Sequence, residues 1–503
     1  MSDELDRLIG ETLVFGIPGP RPTVEDLRLF RETHAGGLIL YRINFRSPEQ
    51  ICGLIRGLEE SLGRRLRVTV DHEGGRVVMF ESGVTVFPDN LAFGVADRTD
   101  WARAQGTIEG RELRRLGVDV NFSPTVDVLT EAFSPNIGIR SYGRDPAQVA
   151  RLASARIRAL QRQGVSACAK HFPGLGPATK DPHLDLPVID VGWAELRRRH
   201  LVPFRAAIDA GVDLVMSSHP LYPKLDPRPR TPATFSRRLM TDLLRKEMGF
   251  RGVVASDDLE MGALGGLAGV GRAAVLAARA GHDLILCCHQ RILQREVARA
   301  LRDAYRSGEL KETDLVNSVQ RIRRLRGSSQ PRFTPGALRA DPSGESLARR
   351  VADAAVRVRP GRAALPFLNA GKVQVIFPRL SDLARRIMIE PALRRERSFL
   401  LSRIGPVGRM DLFPLDPSPA LLRRAVRGGR SHDATVFFCF DAHLHPGLRR
   451  LLAALEKENR PLVLVLMRDP YDGEYASART TLVSASGFRQ SQIEACLKKV
   501  FPS

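Results

Sequence analysis

From the amino terminus to about residue 300, short apolar runs ending in polar residues or glycine alternate with longer stretches of helical periodicity. A chain patterned in this way has few folding solutions, because parallel strands need helical crossovers and the helices must cover the sheet they return to. Eight runs read as strands: Thr12 to Ile17, Gly37 to Tyr41, Arg67 to Val70, Val118 to Phe122, Val165 to Ala169, Leu214 to Ser217, Val253 to Ser256 and Leu284 to Cys287. Helices are predicted between them at Pro48 to Leu62, Pro146 to Gln163, Trp193 to Ala210 and Ser236 to Met248. Eight βα repeats predict an α/β chain whose first part closes into a (β/α)₈, TIM-like barrel, an architecture of about 250 residues.

The periodicity stops at Gly327-Ser328-Ser329-Gln330-Pro331 and stays broken through Thr334-Pro335-Gly336. Clustered glycine, proline and serine mark a linker. Beyond it, Val373 to Phe377, Thr435 to Phe440 and Leu462 to Met467 read as buried strands, with helices at Ser381 to Arg386 and Gly447 to Lys457. The expected organisation is a barrel over residues 1–326, a linker over 327–343 and a smaller α/β domain over 344–503.

The formal net charge is +21, which raises nucleic acid as a partner. The excess is mostly arginine scattered through helices, aromatics are sparse, and no nucleic-acid-binding motif is present, so no nucleic-acid partner is predicted. No apolar run is long enough to span a bilayer, and the acidic start Met1-Ser2-Asp3-Glu4-Leu5-Asp6 does not read as a secretory signal. The six cysteines lie in apolar segments without ligand spacing and read as reduced core residues. A cytoplasmic location without a membrane partner is the expectation.

In a barrel of this kind, chemistry sits at the carboxyl ends of the strands. Those positions carry Asp71-His72-Glu73-Gly74-Gly75-Arg76, then Asp127 and Arg140, then Lys170-His171, His219 and Asp257-Asp258. After Lys170-His171-Phe172-Pro173-Gly174-Leu175-Gly176 comes Asp181-Pro182-His183. A carboxylate two residues from an imidazole can fix its tautomer, giving a group able to donate a proton and take one back. The plainer alternative is an Asx-turn beside a surface histidine, and metal binding lacks a known ligand spacing here. Asp257 and Asp258 can equally cap the following helix. If they are functional, successive side chains diverge, so one faces the barrel mouth while the other supports the loop.

Together the KHFPG run, the downstream DxH, DxEGGRV, RSYG and GFxGVVxSDDLxM resemble glycoside hydrolase family 3, especially its β-N-acetylglucosaminidase branch. The resemblance spans roughly residues 5 to 330, and the tail is similar to the smaller αβα sandwich domain of two-domain members. It implies retaining hydrolysis by double displacement, without a metal or organic cofactor. It also implies roles: Asp257 as nucleophile, His183 as acid/base, Asp181 as its dyad partner, and Asp71, Arg140, Lys170 and His171 as residues holding the sugar. The implied substrate is a small carbohydrate or muropeptide bearing terminal β-linked N-acetylglucosamine, met during peptidoglycan recycling.

Some positions depart from the branch pattern. His72 stands where glutamine is common, Leu175 replaces a histidine, Pro177-Ala178 interrupts the polar run, and Met79 occupies the place of a sugar-contacting arginine. Two other readings stay open. One is a family 3 β-glucosidase, β-xylosidase or phosphorylase, and the other is a catalytically silent sugar-binding protein.

Overall fold

The computed structural model describes residues 2–178, 186–265, 269–327, 338–384 and 387–502. They fall into two compact units. The first takes residues up to Glu73, Val78–Thr85 and Arg98–Asp341, and the second takes Gly74–Val77, Val86–Asp97 and everything from Pro342 onward.

The first unit holds eight parallel strands: β1 (Leu13–Phe15), β2 (Gly37–Leu40), β3 (Arg67–Val70), β4 (Val120–Asn121), β5 (Ser166–Phe172), β6 (Leu214–Ser217), β7 (Val253–Ala255) and β8 (Ile285–Cys287). Each from β1 to β7 pairs with its neighbour in sequence, and β8 pairs with β1. A bridge between Ala255 and Leu284 brings the sheet round on itself as a barrel. Alternate strand residues, among them Leu214 and Met216, Val253 and Ala255, and Leu284 and Leu286, join Val14, Ile39, Phe122 and Cys168 in one buried cluster. The period of two along each strand puts these side chains inside and their neighbours against the helices.

Helix ends follow local chemistry. The helix Pro48–Leu62 starts at Ser47, whose hydroxyl accepts from the Gln50 N–H, and stops at Gly63 with φ +65°. Asp145 caps Pro146–Arg162 in the same way. The helical stretch from Trp193 to Asp209 widens into a π turn at Leu196–His200. Pro203 lies just beyond that turn and has no N–H to give to the ordinary ladder.

The second unit is built on a six-stranded sheet. Its strands are β9 (Arg357–Arg359), β10 (Val373–Pro378), β11 (Arg409–Phe413), β12 (Ala434–Phe440), β13 (Leu462–Met467) and β14 (Thr481–Ser484), in the order β11-β10-β12-β13-β14-β9. All pairings are parallel except β9 on β14. Strands β10, β12 and β13 are buried along their whole length, which explains their near-continuous apolar sequences. The chain runs outward from β10 to β11 and then returns to β12 on the other side, so the direction of winding reverses between β10 and β12. The helix expected at Ser381 to Arg386 is instead a short 3₁₀ turn at Leu380–Leu383, in which only Leu380 is buried. With one apolar anchor there is no stripe to hold a longer helix. Arg385, Arg386 and residues 328–337 of the expected linker lie outside the described residues.

Candidate active site

Glu73, three residues past β3, is the hub of the polar cluster at the barrel's carboxyl end. Arg140 grips it with two hydrogen bonds, Nε to Oε2 at 2.9 Å and Nη2 to Oε1 at 2.7 Å. Lys170 Nζ lies 2.7 Å from the same Oε1 and 2.6 Å from Asp71 Oδ1. Burial works against a charged Glu73, yet Arg140 and Lys170 hold its carboxyl well below the usual range. Burial lifts Asp71 above its ordinary value against the pull of Lys170, and the nearby Glu73 and Asp257 add to the rise.

The backbone carrying these acids is pinned from beneath. Asn121 at the end of β4 accepts the His72 N–H at 2.9 Å and donates to the His72 carbonyl at 2.8 Å. Its amide also donates to Glu109 Oε1 at 2.5 Å. Glu109 in turn pairs with the fully buried Arg156, which donates to the Glu73 carbonyl at 2.7 Å. Asp71 and Glu73 are therefore presented by a rigid support rather than by a free loop.

His171 is fixed from both sides. Arg140 Nη2 lies 3.3 Å from His171 Nε2, and Asp127 Oδ2 lies 2.8 Å from Nδ1. A guanidinium only donates, so the Arg140 contact is a hydrogen bond when Nε2 carries a lone pair. Asp127 also accepts the His171 N–H at 3.0 Å and, through its other oxygen, the Leu175 N–H at 2.5 Å. The Leu175 side chain is buried, and a Cβ on Gly176 would stand 1.7 Å from the Val128 carbonyl oxygen. Only glycine allows that approach, which folds the segment after β5 tightly onto the one after β4.

Asp257 follows β7 and Ser256 at the same end of the barrel, and its Oδ1 accepts the Asp258 N–H at 2.9 Å. Burial opposes its ionisation, but His219, His171, the Asp258 amide and Lys170 together hold its carboxyl below the usual aspartate value. Asp258 is turned to the backbone, where its Oδ1 accepts from Glu260 at 3.1 Å and Cys288 at 3.2 Å. His219 has Nδ1 2.7 Å from Thr234 Oγ1 and Nε2 3.0 Å from the Asp258 carbonyl. Thr234 spends its own hydrogen on the Ser218 carbonyl at 2.9 Å, so both ring nitrogens of His219 face acceptors.

A pH prediction arises here. A lowered pKa keeps Asp257 ionised below the ordinary aspartate value of about 3.9, so activity that needs the carboxylate is lost only as pH falls through that lower value. Removing the imidazole that helps lower Asp257 by His219→Phe raises the Asp257 pKa, and the acid limb of kcat/KM is expected to move to higher pH. The check is a rate profile for both proteins after brief exposure to each pH, with full recovery on return to neutrality. An unmoved limb would show that His219 does not act on Asp257.

Of the residues expected from sequence, the structure brings Asp71, Arg140, Lys170, His171 and Asp257 into one electrostatically connected group. Asp181 and His183 lie outside the described residues. Glu73, Asp127 and His219 were visible at strand ends but not singled out, since their importance rests on partners distant in sequence. The departures also find places. His72 Nδ1 accepts the Met79 N–H at 3.3 Å, and its ring stacks on Phe80 with centroids 5.7 Å apart. All six cysteines are buried and free.

A strand-end carboxylate facing a basic, hydrogen-bonded wall defines the class, and residues 5–325 match the Glycosyl hydrolase family 3 N terminal domain. The chain belongs to glycoside hydrolase family 3, whose members act on O-glycosyl bonds. A beta-hexosaminidase from Methylobacillus flagellatus is 33% identical over 345 residues, which cover 67% of this chain and 95% of that protein. One from Neisseria meningitidis is 37% identical over 289 residues, 56% of this chain and 79% of that one. Among solved structures, a family 3 β-N-acetylglucosaminidase from Paenibacillus sp. FPU-7 superposes with a TM-score of 0.91 at 30% identity, covering 98% of this chain and 96% of the other. No helix among the described residues is long and apolar enough to cross a membrane.

Proposed function

We propose that the chain is a retaining exo-β-N-acetylglucosaminidase that removes terminal β-linked N-acetylglucosamine from muropeptides during cytoplasmic peptidoglycan recycling. The observation that carries this reading is Asp257, held ionised at the barrel mouth beside the Asp71, Lys170, Arg140 and His171 group. It is supported by the beta-hexosaminidase relatives and by the order of the motifs around Asp181 and His183.

Asp257 attacks the anomeric carbon from the face opposite the leaving group while His183 gives its proton to the glycosidic oxygen. Charge develops on the sugar ring as in an oxocarbenium ion and collapses to a glycosyl ester on Asp257. His183, now a neutral base, takes a proton from water, which attacks the same carbon and restores the original configuration. Asp181 orients His183 through both steps. Asp71, Arg140, Lys170 and His171 hold the sugar hydroxyls and the acetamido group.

The test is turnover of para-nitrophenyl β-N-acetylglucosaminide against the matching glucoside, each with and without phosphate. Selective cleavage of the first to free sugar, independent of phosphate, is the expected result, and NMR of the first product should show the β-anomer. Preference for the glucoside, or a sugar phosphate as product, would replace this reading by a β-glucosidase or phosphorylase. Binding without turnover would favour a silent sugar-binding protein. His183→Ala is expected to slow wild-type turnover by about 10²- to 10⁴-fold, the usual share of general acid–base catalysis.

A further inference from the structure

The second unit carries a cluster of ligand-type side chains that the glycosidase reading does not use. Asp441 directly follows β12, His443 lies two residues on, and Asp472 sits in the 3₁₀ turn Pro470–Tyr475 after β13. Each offers a donor atom within 4.8 Å of those of the other two. They lie at the carboxyl ends of parallel strands, beside the place where the winding direction reverses between β10 and β12. That crevice is where open α/β sheets bind ligands.

The state of Asp441 gives the second, independent observation. Its residue is 1% exposed, and Oδ2 pairs with the Arg468 guanidinium. Oδ1 is buried and has no hydrogen-bond partner among the described residues. A buried carboxylate oxygen left in that condition is costly, and buried orphan acceptors require a reason. Asp472, by contrast, is anchored: its oxygens accept the Ala442 N–H at 2.6 Å and the His443 N–H at 3.0 Å, and its Oδ1 lies 2.9 Å from His443 Nδ1. Three acids, Asp441, Asp469 and Asp472, are buried together, and burial pushes Asp469 up to about 7. Arg468, His443 and Arg76 act on Asp441, and the Arg449 guanidinium donates to the Ala442 and His443 carbonyls.

We propose that Asp441, His443 and Asp472 form a binding site for a divalent first-row cation of the zinc type, which ties the segment after β12 to the turn after β13. One imidazole with two carboxylates is a mixed nitrogen and oxygen donor set of borderline hardness, which suits Zn²⁺ better than Mg²⁺ or Ca²⁺. Ligands at about 2.1 Å from one Zn²⁺ lie roughly 3.4 Å apart, so loading asks the side chains to close by an ångström or so. Arg468 stays on Asp441 Oδ2 as an outer partner, and Oδ1 becomes the ligand. The cation requires deprotonated ligands, so binding releases protons and weakens in acid.

The test uses the full chain after chelation, carrying His183→Ala so that the Asp181 and His183 pair holds no metal. Zn²⁺ is titrated calorimetrically, and Co²⁺ serves as a spectroscopic probe. One Zn²⁺ per chain is expected, with visible Co²⁺ absorption typical of low coordination and a higher thermal midpoint in the presence of Zn²⁺. Asp441→Asn and His443→Gln should each weaken binding by about 10-fold or more, and together abolish the thermal shift. Asp441→Asn preserves volume, and circular dichroism establishes that each variant is folded. Absence of saturable binding in the chelated protein, or binding and thermal shift unchanged in the folded double variant, would overturn the proposal.

Discussion

Replacing Asp257 with alanine is expected to lower kcat on para-nitrophenyl β-N-acetylglucosaminide by about 10⁴-fold or more, the scale seen when a residue central to catalysis is removed. At 1.36 kcal/mol per decade, that is about 5.5 kcal/mol of transition-state stabilisation. Alanine leaves space beneath the anomeric carbon, and azide should fill it. With an activated leaving group, azide then attacks from the face opposite the aglycone, and a single inversion gives an α-glycosyl azide. That product distinguishes a missing nucleophile from a general disturbance of the site, which azide cannot repair. Thermal stability should change little, since among the described residues Asp257 makes one hydrogen bond, to the Asp258 amide. If the folded variant retained a tenth of wild-type kcat, the nucleophile would have to be another carboxylate.

The second large effect is expected at Glu73. Glu73→Gln keeps the shape of the side chain but removes the charge that serves both Arg140 and Lys170. Those cations are then left in a buried site with Asp71, Asp127 and Asp257 among the acids near them. Breaking one partner of a buried ionic group costs about 3–5 kcal/mol, which corresponds to a fall of roughly 10 °C in the first thermal transition. Activity should fall too, by about 10²-fold in kcat/KM, because a shift of an ångström in the sugar-holding residues is enough. Calorimetry and steady-state kinetics on the same preparation check both. A stable protein with normal kinetics would show that Arg140 and Lys170 are held by other contacts.

Much of the barrel was legible because its strands are short apolar runs with polar ends. Arg67–Val70 and Leu214–Ser217 have the bounds that the pattern suggests, as does Leu462–Met467 in the second unit. The strand Arg409–Phe413 escaped because Asp411 faces a buried polar partner, Gln374, so its inward face does not look apolar. Thr481–Ser484 begins and ends on hydroxyl residues with only two apolar residues between them, and Arg357–Arg359 is an exposed edge with two arginines. In the site, Asp71, Lys170 and Asp257 could be found as charged residues at strand ends. Glu73 could not be preferred over its neighbours, because nothing local says which acid meets Arg140, 67 residues away. The same holds for Asp127, which meets His171 across 44 residues, and for His219, whose ring nitrogens meet a hydroxyl and a carbonyl from two other segments.

The apportioning of residues 74–97 between the two units has a consequence for biosynthesis. Gly74–Val77 and Val86–Asp97 belong to the second unit, where the helix Asn90–Ala96 lies against the helix Pro342–Ala355 and Arg357 donates to the Val95 carbonyl at 2.8 Å. A ribosome delivers those partners only after some 240 further residues, roughly 10–50 s later at ordinary elongation rates. During that interval the helix carrying Leu91 and Phe93, both buried in the finished protein, lacks its packing partner Pro342–Ala355. The nascent chain thus carries an apolar segment some 20 residues after Asp71 and Glu73 that waits on late synthesis for this partner. Slow codons upstream of Pro342 would lengthen its exposure to chaperones and proteases, so the yield of folded enzyme should depend on translation tempo as well as on sequence.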